Sequence, residues 1–190
     1  MRFGSIGTFA LTAVLAISAP ALRAEEKPMG PPKPAPETSQ LAYFAGTWEC
    51  TGKLFPGPWG SEHPTEATVH ATPALGGFWY AVHYDEKKTA ANPMPYHAGM
   101  FMGYDATEKV FIQHCFDSMG GYCSETSKGW SADTLVFEGS LMGMGPKTIG
   151  RDIFTRKGAA EMVHSGEMQG PDGKWMKVDE ESCKKAVAKK

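Results

Sequence analysis

The sequence lacks the features that would mark a nucleic-acid-binding or nucleotide-binding protein. Its 190 residues carry 19 Lys and Arg against 21 Asp and Glu, which gives a formal net charge of −2. It has no basic face with interleaved aromatic residues, so neither nucleic acid nor an anionic membrane is an expected partner. It also has no phosphate-binding Gly-rich loop before a helix, no Gly-x-Ser-x-Gly and no His-Glu-x-x-His. Enzyme activity is therefore left open, with no catalytic residue and no cofactor to name.

Long apolar runs are scarce, and the run from Phe9 to Ile17 is too short to span a bilayer comfortably. Arg2 precedes it and small residues follow it, which is the pattern of a secretory signal peptide. We predict a signal peptide at residues 1–24, cleaved after Ala24 or Ala21. The mature protein is then expected in the periplasm or secreted, with no stable membrane insertion after cleavage.

Long amphipathic helices are also missing, and short alternating stretches take their place. Residues 25–38 are Pro-rich without apolar periodicity, which predicts a linker. Residues 39–183 are the right size for one domain, and 184–190 form a Lys-rich tail. Ser39 is predicted to cap a helical turn through Phe44. About ten short strands follow it, which predicts an all-β barrel or sandwich: near 46–54, 66–72, 78–84, 96–104, 109–117, 122–126, 134–141, 147–156, 161–168 and 175–181.

Several short motifs occur in a fixed order along this domain. They are Gly46-Thr47-Trp48 with Gly52, Leu75-Gly76-Gly77-Phe78, Gly103-Tyr104-Asp105, Asp117-Ser118-Met119-Gly120 and Gly170-Pro171-Asp172-Gly173-Lys174. Together they resemble the bacterial secreted proteins of domain-of-unknown-function family 1579, which are related to lipocalin-like (calycin) barrels. The resemblance implies a single antiparallel up-and-down β-barrel of about ten strands with a lumen, and it implies no activity. Structural roles are expected for Gly46, Trp48, Gly76, Gly77, Asp117 and Ser118.

A more distant resemblance is to the nitrobindin-like haem barrels, which share the opening Gly-x-Trp and the barrel architecture. Those proteins hold haem through a histidine late in the chain. His164 is the only late histidine here, and the sequence around it does not otherwise match, so no cofactor is predicted.

The four cysteines are expected to form disulfides, because the protein is predicted to be exported and has no Cys-x-x-Cys. Cys115 and Cys123 lie symmetrically about a turn, which predicts a bridge across a hairpin. Cys50 and Cys183 would then join the first and last strands, which are neighbours in a closed barrel. One observation fits poorly, since Cys183 shares a strand face with the charged residues Lys177, Asp179 and Glu181 unless it lies past the strand end.

Four residues are the candidates for contact with a ligand: His83, His114, Tyr104 and Arg151. His114 is predicted to lie opposite Gly99, whose small size leaves space around the imidazole. Arg151 is in phase with Ile149 and Ile153, and an arginine on an apolar face needs a partner. That partner is either a ligand carboxylate or the ring of Trp48.

Two further sets of residues are assigned structural roles. The pairs Met100-x-Met102 and Met142-x-Met144 suit Cu(I), but methionine more often fills apolar space, so no metal is predicted. Asp117 and Ser118 point opposite ways along a strand and therefore cannot act as a catalytic pair. They are expected to shape the following turn.

The predicted function is an exported barrel that binds a small, mostly apolar or amphipathic molecule in its lumen. The alternatives are an enzyme that uses the same lumen and a haem-binding or copper-binding periplasmic protein.

Overall fold

The computed structural model describes residues 30–187, and within them the protein is a closed antiparallel β-barrel. The barrel has ten strands, each paired with its neighbours in chain order, and β1 closes against β10. The all-β up-and-down barrel is therefore confirmed. The strands are β1 Gly46–Leu54, β2 His63–Ala74, β3 Trp79–Glu86, β4 His97–Asp105, β5 Val110–Asp117, β6 Tyr122–Ser127, β7 Thr134–Met142, β8 Thr148–Arg156, β9 Glu161–Gln169 and β10 Trp175–Lys185.

A 3-10 helix, Pro36–Phe44, precedes the barrel, and a single 3-10 turn, Leu75–Gly77, links β2 to β3. The helix begins with Pro36, whose fixed φ and missing N–H suit a first helical position. It thus starts inside the segment predicted as a linker, and Ser39 lies within it rather than capping it. The predicted signal peptide and residues 25–29 lie outside the described residues. No helix within residues 30–187 is long and apolar enough to cross a membrane.

Both predicted disulfides are confirmed. Cys50 and Cys183 are direct partners across the β1–β10 seam and are bonded to each other. Cys115 and Cys123 are direct partners across the β5–β6 hairpin and are also bonded. The first bridge joins residues 133 positions apart, so it closes the barrel covalently at the seam between its first and last strands.

We expect no free thiol in the folded, exported protein, because all four cysteines are paired. Thiol titration of denatured, unreduced protein should give a value near zero and should rise to four only after reduction. Two or more reactive thiols before reduction would contradict the pairing. A linked peptide pair that contains Cys115 and Cys123 should also survive proteolysis.

The β4–β5 hairpin has a different register from the predicted one. His114 pairs with Phe101, and Phe116 is the residue opposite Gly99. The turn begins one residue later than expected, because the Asp105 carboxylate accepts hydrogen bonds from the N–H groups of Thr107 and Glu108 at 2.8 and 3.0 Å. Lys109, which adopts a left-handed φ of 55°, then ends the turn instead of beginning a strand.

The helix covers one end of the barrel, which we call the covered end. Trp48 has no exposed surface there, and its indole N–H donates to the Phe44 carbonyl at 2.7 Å. The ring therefore ties the helix to the mouth of β1, as its position in the sequence suggested. A continuous apolar core fills this end of the lumen, and its large members are Leu41, Phe44, Trp48, Tyr80, Met102, Phe111, Leu135, Phe137, Phe154 and Met162.

The opposite end of the barrel, which we call the far end, is formed by the loops after the odd-numbered strands. The Asp117 carboxylate shapes one of them, as predicted, by accepting hydrogen bonds from the N–H groups of Met119 and Gly121 at 2.8 and 2.9 Å. Ser118 reaches across to β4, where its hydroxyl oxygen accepts from the His97 N–H at 3.1 Å. The two residues thus fasten the β5–β6 turn to its neighbour.

The charged face of β10 is the face that points into the lumen. A bulge between Lys177 and Asp179 shifts the pairing of β10 with β9 by one residue. Beyond the bulge, Asp179 and Glu181 are in phase with Cys183, whose sulfur is buried in the core. Cys183 therefore shares the inward face with Asp179 and Glu181, whereas Lys177 lies before the bulge.

Candidate functional site

A layer of polar side chains crosses the lumen directly beyond the apolar core. Each member lies at an inward position of its strand, in phase with a buried core residue or a disulfide cysteine, because side chains alternate between the two faces of a strand. We call this layer the lumen cluster, and its members are Gln113 on β5, Glu125 on β6, Asp152 on β8, His164 on β9, and Asp179 and Glu181 on β10.

His164 is held between two carboxylates. Its Nε2 is 3.0 Å from Asp152 Oδ1, and its Nδ1 is 3.2 Å from Asp179 Oδ1. Burial alone would lower the pKa of His164, but the carboxylates of Asp179 and Asp152 outweigh it and raise that pKa well above the usual value. A protonated ring can donate from both nitrogens at once. The imidazolium therefore links β9 to β8 and β10.

Gln113 connects the histidine to the other side of the barrel. Its side-chain N–H groups donate to Asp152 Oδ2 at 2.6 Å and to Glu125 Oε2 at 3.0 Å. The amide oxygen has no hydrogen-bond partner among the described residues, although Gln113 has no exposed surface. A buried acceptor without a donor is energetically unfavourable, so this oxygen is a position that a bound group would satisfy.

Two tyrosines extend the layer towards the far end. The Tyr84 hydroxyl donates to Glu181 Oε1 at 2.8 Å, and the Thr65 hydroxyl donates to the same oxygen at 2.8 Å. The Tyr96 hydroxyl donates to Asp117 Oδ2 at 3.3 Å, and the two tyrosine rings are 6.0 Å apart. Burial, together with the nearby carboxylates, raises the pKa of both phenols, so both remain protonated donors.

The carboxyl groups of the cluster divide into two kinds. Burial opposes the charged form of Asp152, but hydrogen bonds from His164 and Gln113 prevail and lower its pKa. Burial, reinforced by the charge of Asp152, raises the pKa of Glu125 to about 9. Burial also raises the pKa of Glu181, although Thr65 and Tyr84 donate to it. The charged pair of Asp152 and His164 is thus flanked by Glu125, a carboxyl group that keeps its proton at neutral pH.

The centre of the cluster is not tightly packed. The side chains of Asp152, His164 and Asp179 keep 27, 20 and 25% of their accessible surface. The core seals the covered end, so we infer that water reaches these groups from the far end. A barrel becomes wider as its number of strands grows, and barrels of eight strands are already the size that holds one small ligand. This recess is the candidate site.

The structure does not bring the four predicted ligand-binding residues together. His83 is exposed on the outer face, where it pairs with His70. His114 also lies on the outer face, since its neighbour Gln113 points inward. Tyr104 points inward but packs against Phe111 in the apolar core, with ring centroids 5.0 Å apart.

The prediction that Arg151 could hold a ligand carboxylate inside the barrel is wrong. Its neighbour Asp152 points into the lumen, so Arg151 points outward. There its Nε donates to Glu167 Oε2 at 2.8 Å, and its guanidinium carbon lies 4.0 Å from the centre of the Trp175 ring. Stacking was the structural alternative for this residue, but the aromatic partner is Trp175 and not Trp48.

Arg151→Met should therefore lower the stability of the protein without changing the binding of a ligand in the lumen. The substitution leaves the partly buried Glu167 without its partner and removes the stacked guanidinium, which we expect to cost about 1–2 kcal/mol. Urea unfolding measures this loss. A stable Arg151→Met variant with impaired ligand binding would restore Arg151 as a binding residue.

The cluster does not fit haem or a tightly held metal ion. Both ring nitrogens of His164 are hydrogen-bonded to carboxylates, so neither is free to ligate haem iron. Within residues 30–187, one group of three His, Cys, Asp or Glu side chains brings its ligand atoms within 4.8 Å of one another: Cys50, Glu181 and Cys183. Its two cysteines are in the seam disulfide, which removes their thiolates as ligands.

Fold and site together define a closed ten-stranded β-barrel with an apolar core at one end and a layer of partly accessible acidic side chains beyond it. Residues 33–185 match the family model described as "Protein of unknown function (DUF1579)", and the chain belongs to this family. The family resemblance seen in the sequence is thereby confirmed, while the lipocalin-like detail stays a prediction. The two disulfides are compatible with an extracellular or periplasmic location.

The chain is also similar in fold to a solved structure. The crystal structure of Rv2717c from M. tuberculosis matches with a TM-score of 0.64 and 12% sequence identity, over 82% of this chain and 100% of that chain. At this identity the similarity concerns the fold alone. No curated protein matches the chain in sequence.

Proposed function

We propose that this is an exported binding protein that holds a small amphipathic molecule in the lumen, with the polar group of the molecule at the lumen cluster. The observation that carries the proposal is the accessible surface of Asp152, His164 and Asp179 in the middle of the barrel. Ionisable groups rarely lie inside a small domain unless they are paired or used. Export is part of the proposal, supported by the signal pattern and the disulfides.

The loops of the far end support an apolar body for this molecule. Three of them carry a large apolar side chain that is exposed to water, Met94, Met119 and Met144, and Phe116 is exposed on the outer face near the end of β5. Exposed apolar surface that is grouped at one end of a domain commonly marks a binding surface, and methionine adapts to varied shapes. A molecule that enters from this end would meet apolar contacts first and the acidic recess last.

Native mass spectrometry of the protein purified from its own host tests the proposal. We expect one added mass of a small molecule, which is lost on denaturation. Ala98→Trp should abolish the added mass, because Ala98 faces the lumen between Tyr84 and Asp117. Gly99→Trp is the matched control, since no atom lies within 4 Å of the position its Cβ would occupy on the outer face. Equal retention of the added mass by both variants would place the molecule outside the lumen.

A further inference from the structure

The lumen cluster contains more acid than base. Glu125 keeps its proton at neutral pH, but the Asp152 and Asp179 carboxylates, with the Glu181 carboxyl group beside them, still face a single basic group, His164. Arg151, which follows the inward-facing Gly150 on β8, does not correct this imbalance, because it lies on the outer face and is paired with Glu167. A second positive charge inside the recess would therefore be favourable.

A second, independent feature of the site calls for a hydrogen-bond donor. The amide oxygen of Gln113 is buried and has no partner among the described residues, while the amide nitrogen of the same group already serves Asp152 and Glu125. Turning the amide over would not help, because its oxygen would then face the Asp152 carboxylate and its N–H groups would lose both of their present acceptors. The unsatisfied acceptor thus points to a donor that comes from outside the chain.

We infer that the polar group of the ligand is a primary or secondary ammonium group, held by the Asp152 and Asp179 carboxylates and by the Gln113 amide oxygen. This inference rests on the proposed function, because it names the chemical class of the molecule in the same recess. The rings of Tyr84 and Tyr96 add aromatic surface beside the carboxylates, and such surface favours a cation over an anion. Hydrogen bonds to an ammonium group, about 2.7–3.0 Å long, can join acceptors that lie farther apart than the shorter bonds of a metal ion allow.

Three compounds with the same chain test the charge directly: octylamine, octanoic acid and 1-octanol, each titrated calorimetrically into the wild-type protein. We expect octylamine to bind at least about tenfold more tightly than 1-octanol, since a charge-assisted hydrogen bond in a partly dry site has this size of effect. Octanoic acid should bind most weakly, because its carboxylate would face the carboxylates of the cluster.

Two variants locate the effect. Asp179→Asn keeps an oxygen that can accept from the imidazole but removes the charge, and it should weaken octylamine about tenfold while leaving 1-octanol unchanged. Asp85→Asn is the matched control, because it makes the same change on the outer face of β3, where Asp85 contacts His97. If Asp179→Asn does not fold, as judged by its melting transition, Asp152→Asn replaces it, since Asp152 is the other carboxylate assigned to the ammonium group and asparagine keeps an oxygen that can accept a hydrogen bond.

The outcomes separate the inference from the proposed function. Preference for octylamine that is lost in Asp179→Asn and kept in Asp85→Asn supports both. Binding of octanoic acid or 1-octanol as tightly as octylamine overturns the ammonium assignment and leaves a lumen ligand in place. Absence of binding by all three compounds overturns both.

Discussion

Trp48→Ala is expected to destabilise the protein by about 3–5 kcal/mol, the range typical of a large aromatic side chain removed from a packed core. The Trp48 side chain is fully buried and lies where the helix meets β1. Its loss leaves a cavity at the covered end and an unpaired Phe44 carbonyl, whose present donor is 2.7 Å away. The change should also loosen the helix, because Trp48 packs on the Tyr43 ring at 5.6 Å between centroids.

Two control variants separate the stability that the Trp48 ring contributes from the contribution of its hydrogen bond and from the general effect of removing a tryptophan. Trp48→Phe keeps most of the apolar contact and should cost less, since it gives up the indole donor and part of the ring. Trp79→Ala removes a tryptophan from the outer face, where it covers Gly103, and should cost the least of the three. Urea unfolding ranks them. A fully stable Trp48→Ala variant that no longer bound its ligand would show that Trp48 serves binding and not the fold.

The fold could be predicted because its determinants are local. Alternation along each strand, turn residues between strands and the paired cysteines each act over a few residues. The register of the β4–β5 hairpin could not be predicted as easily. It depends on whether Asp105 closes the strand or begins the turn, and the answer lies in two hydrogen bonds from its carboxylate.

The lumen cluster could not be predicted from the sequence, because on some strands the face that points into the lumen is more polar than the outer face. On β8 the side chains of Ile149 and Ile153 point outward, whereas the side chain of Asp152 points into the lumen. A rule that puts apolar residues inside therefore selects the wrong face, and it assigned Arg151 to the lumen.

The cysteines indicate which side chains of their strands point into the lumen. A disulfide fixes the inward phase of its strands, and Glu125 is in phase with Cys123, Gln113 with Cys115, and Glu181 with Cys183. Asp152 carries no such marker, and it is recognised only once β8 is paired with β9.

Glu125→Gln should stabilise the protein increasingly as the pH rises, by about 2–4 kcal/mol more at pH 8 than at pH 5. Burial raises the pKa of Glu125 to about 9 in the folded protein, against 4.5 for an exposed glutamate. Between these two values the unfolded chain has lost the proton and the folded chain keeps it. The unfolded state therefore binds fewer protons, and the free energy of unfolding falls by up to about 1.4 kcal/mol per pH unit. Below pH 4.5 both states are protonated and the effect disappears.

Glutamine cannot ionise, so the variant escapes this loss while keeping an amide that can take part in the contact with Gln113. The difference in unfolding free energy between variant and wild type, measured at several pH values, isolates Glu125 from His164, whose raised pKa also makes stability fall as pH rises. Glu66→Gln, an exposed change on the outer face of β2, should leave the pH dependence as it is in the wild type. A difference that stays constant from pH 5 to pH 8 would mean that Glu125 ionises in the folded barrel as it does in water, and the lumen would then hold one more negative charge at neutral pH.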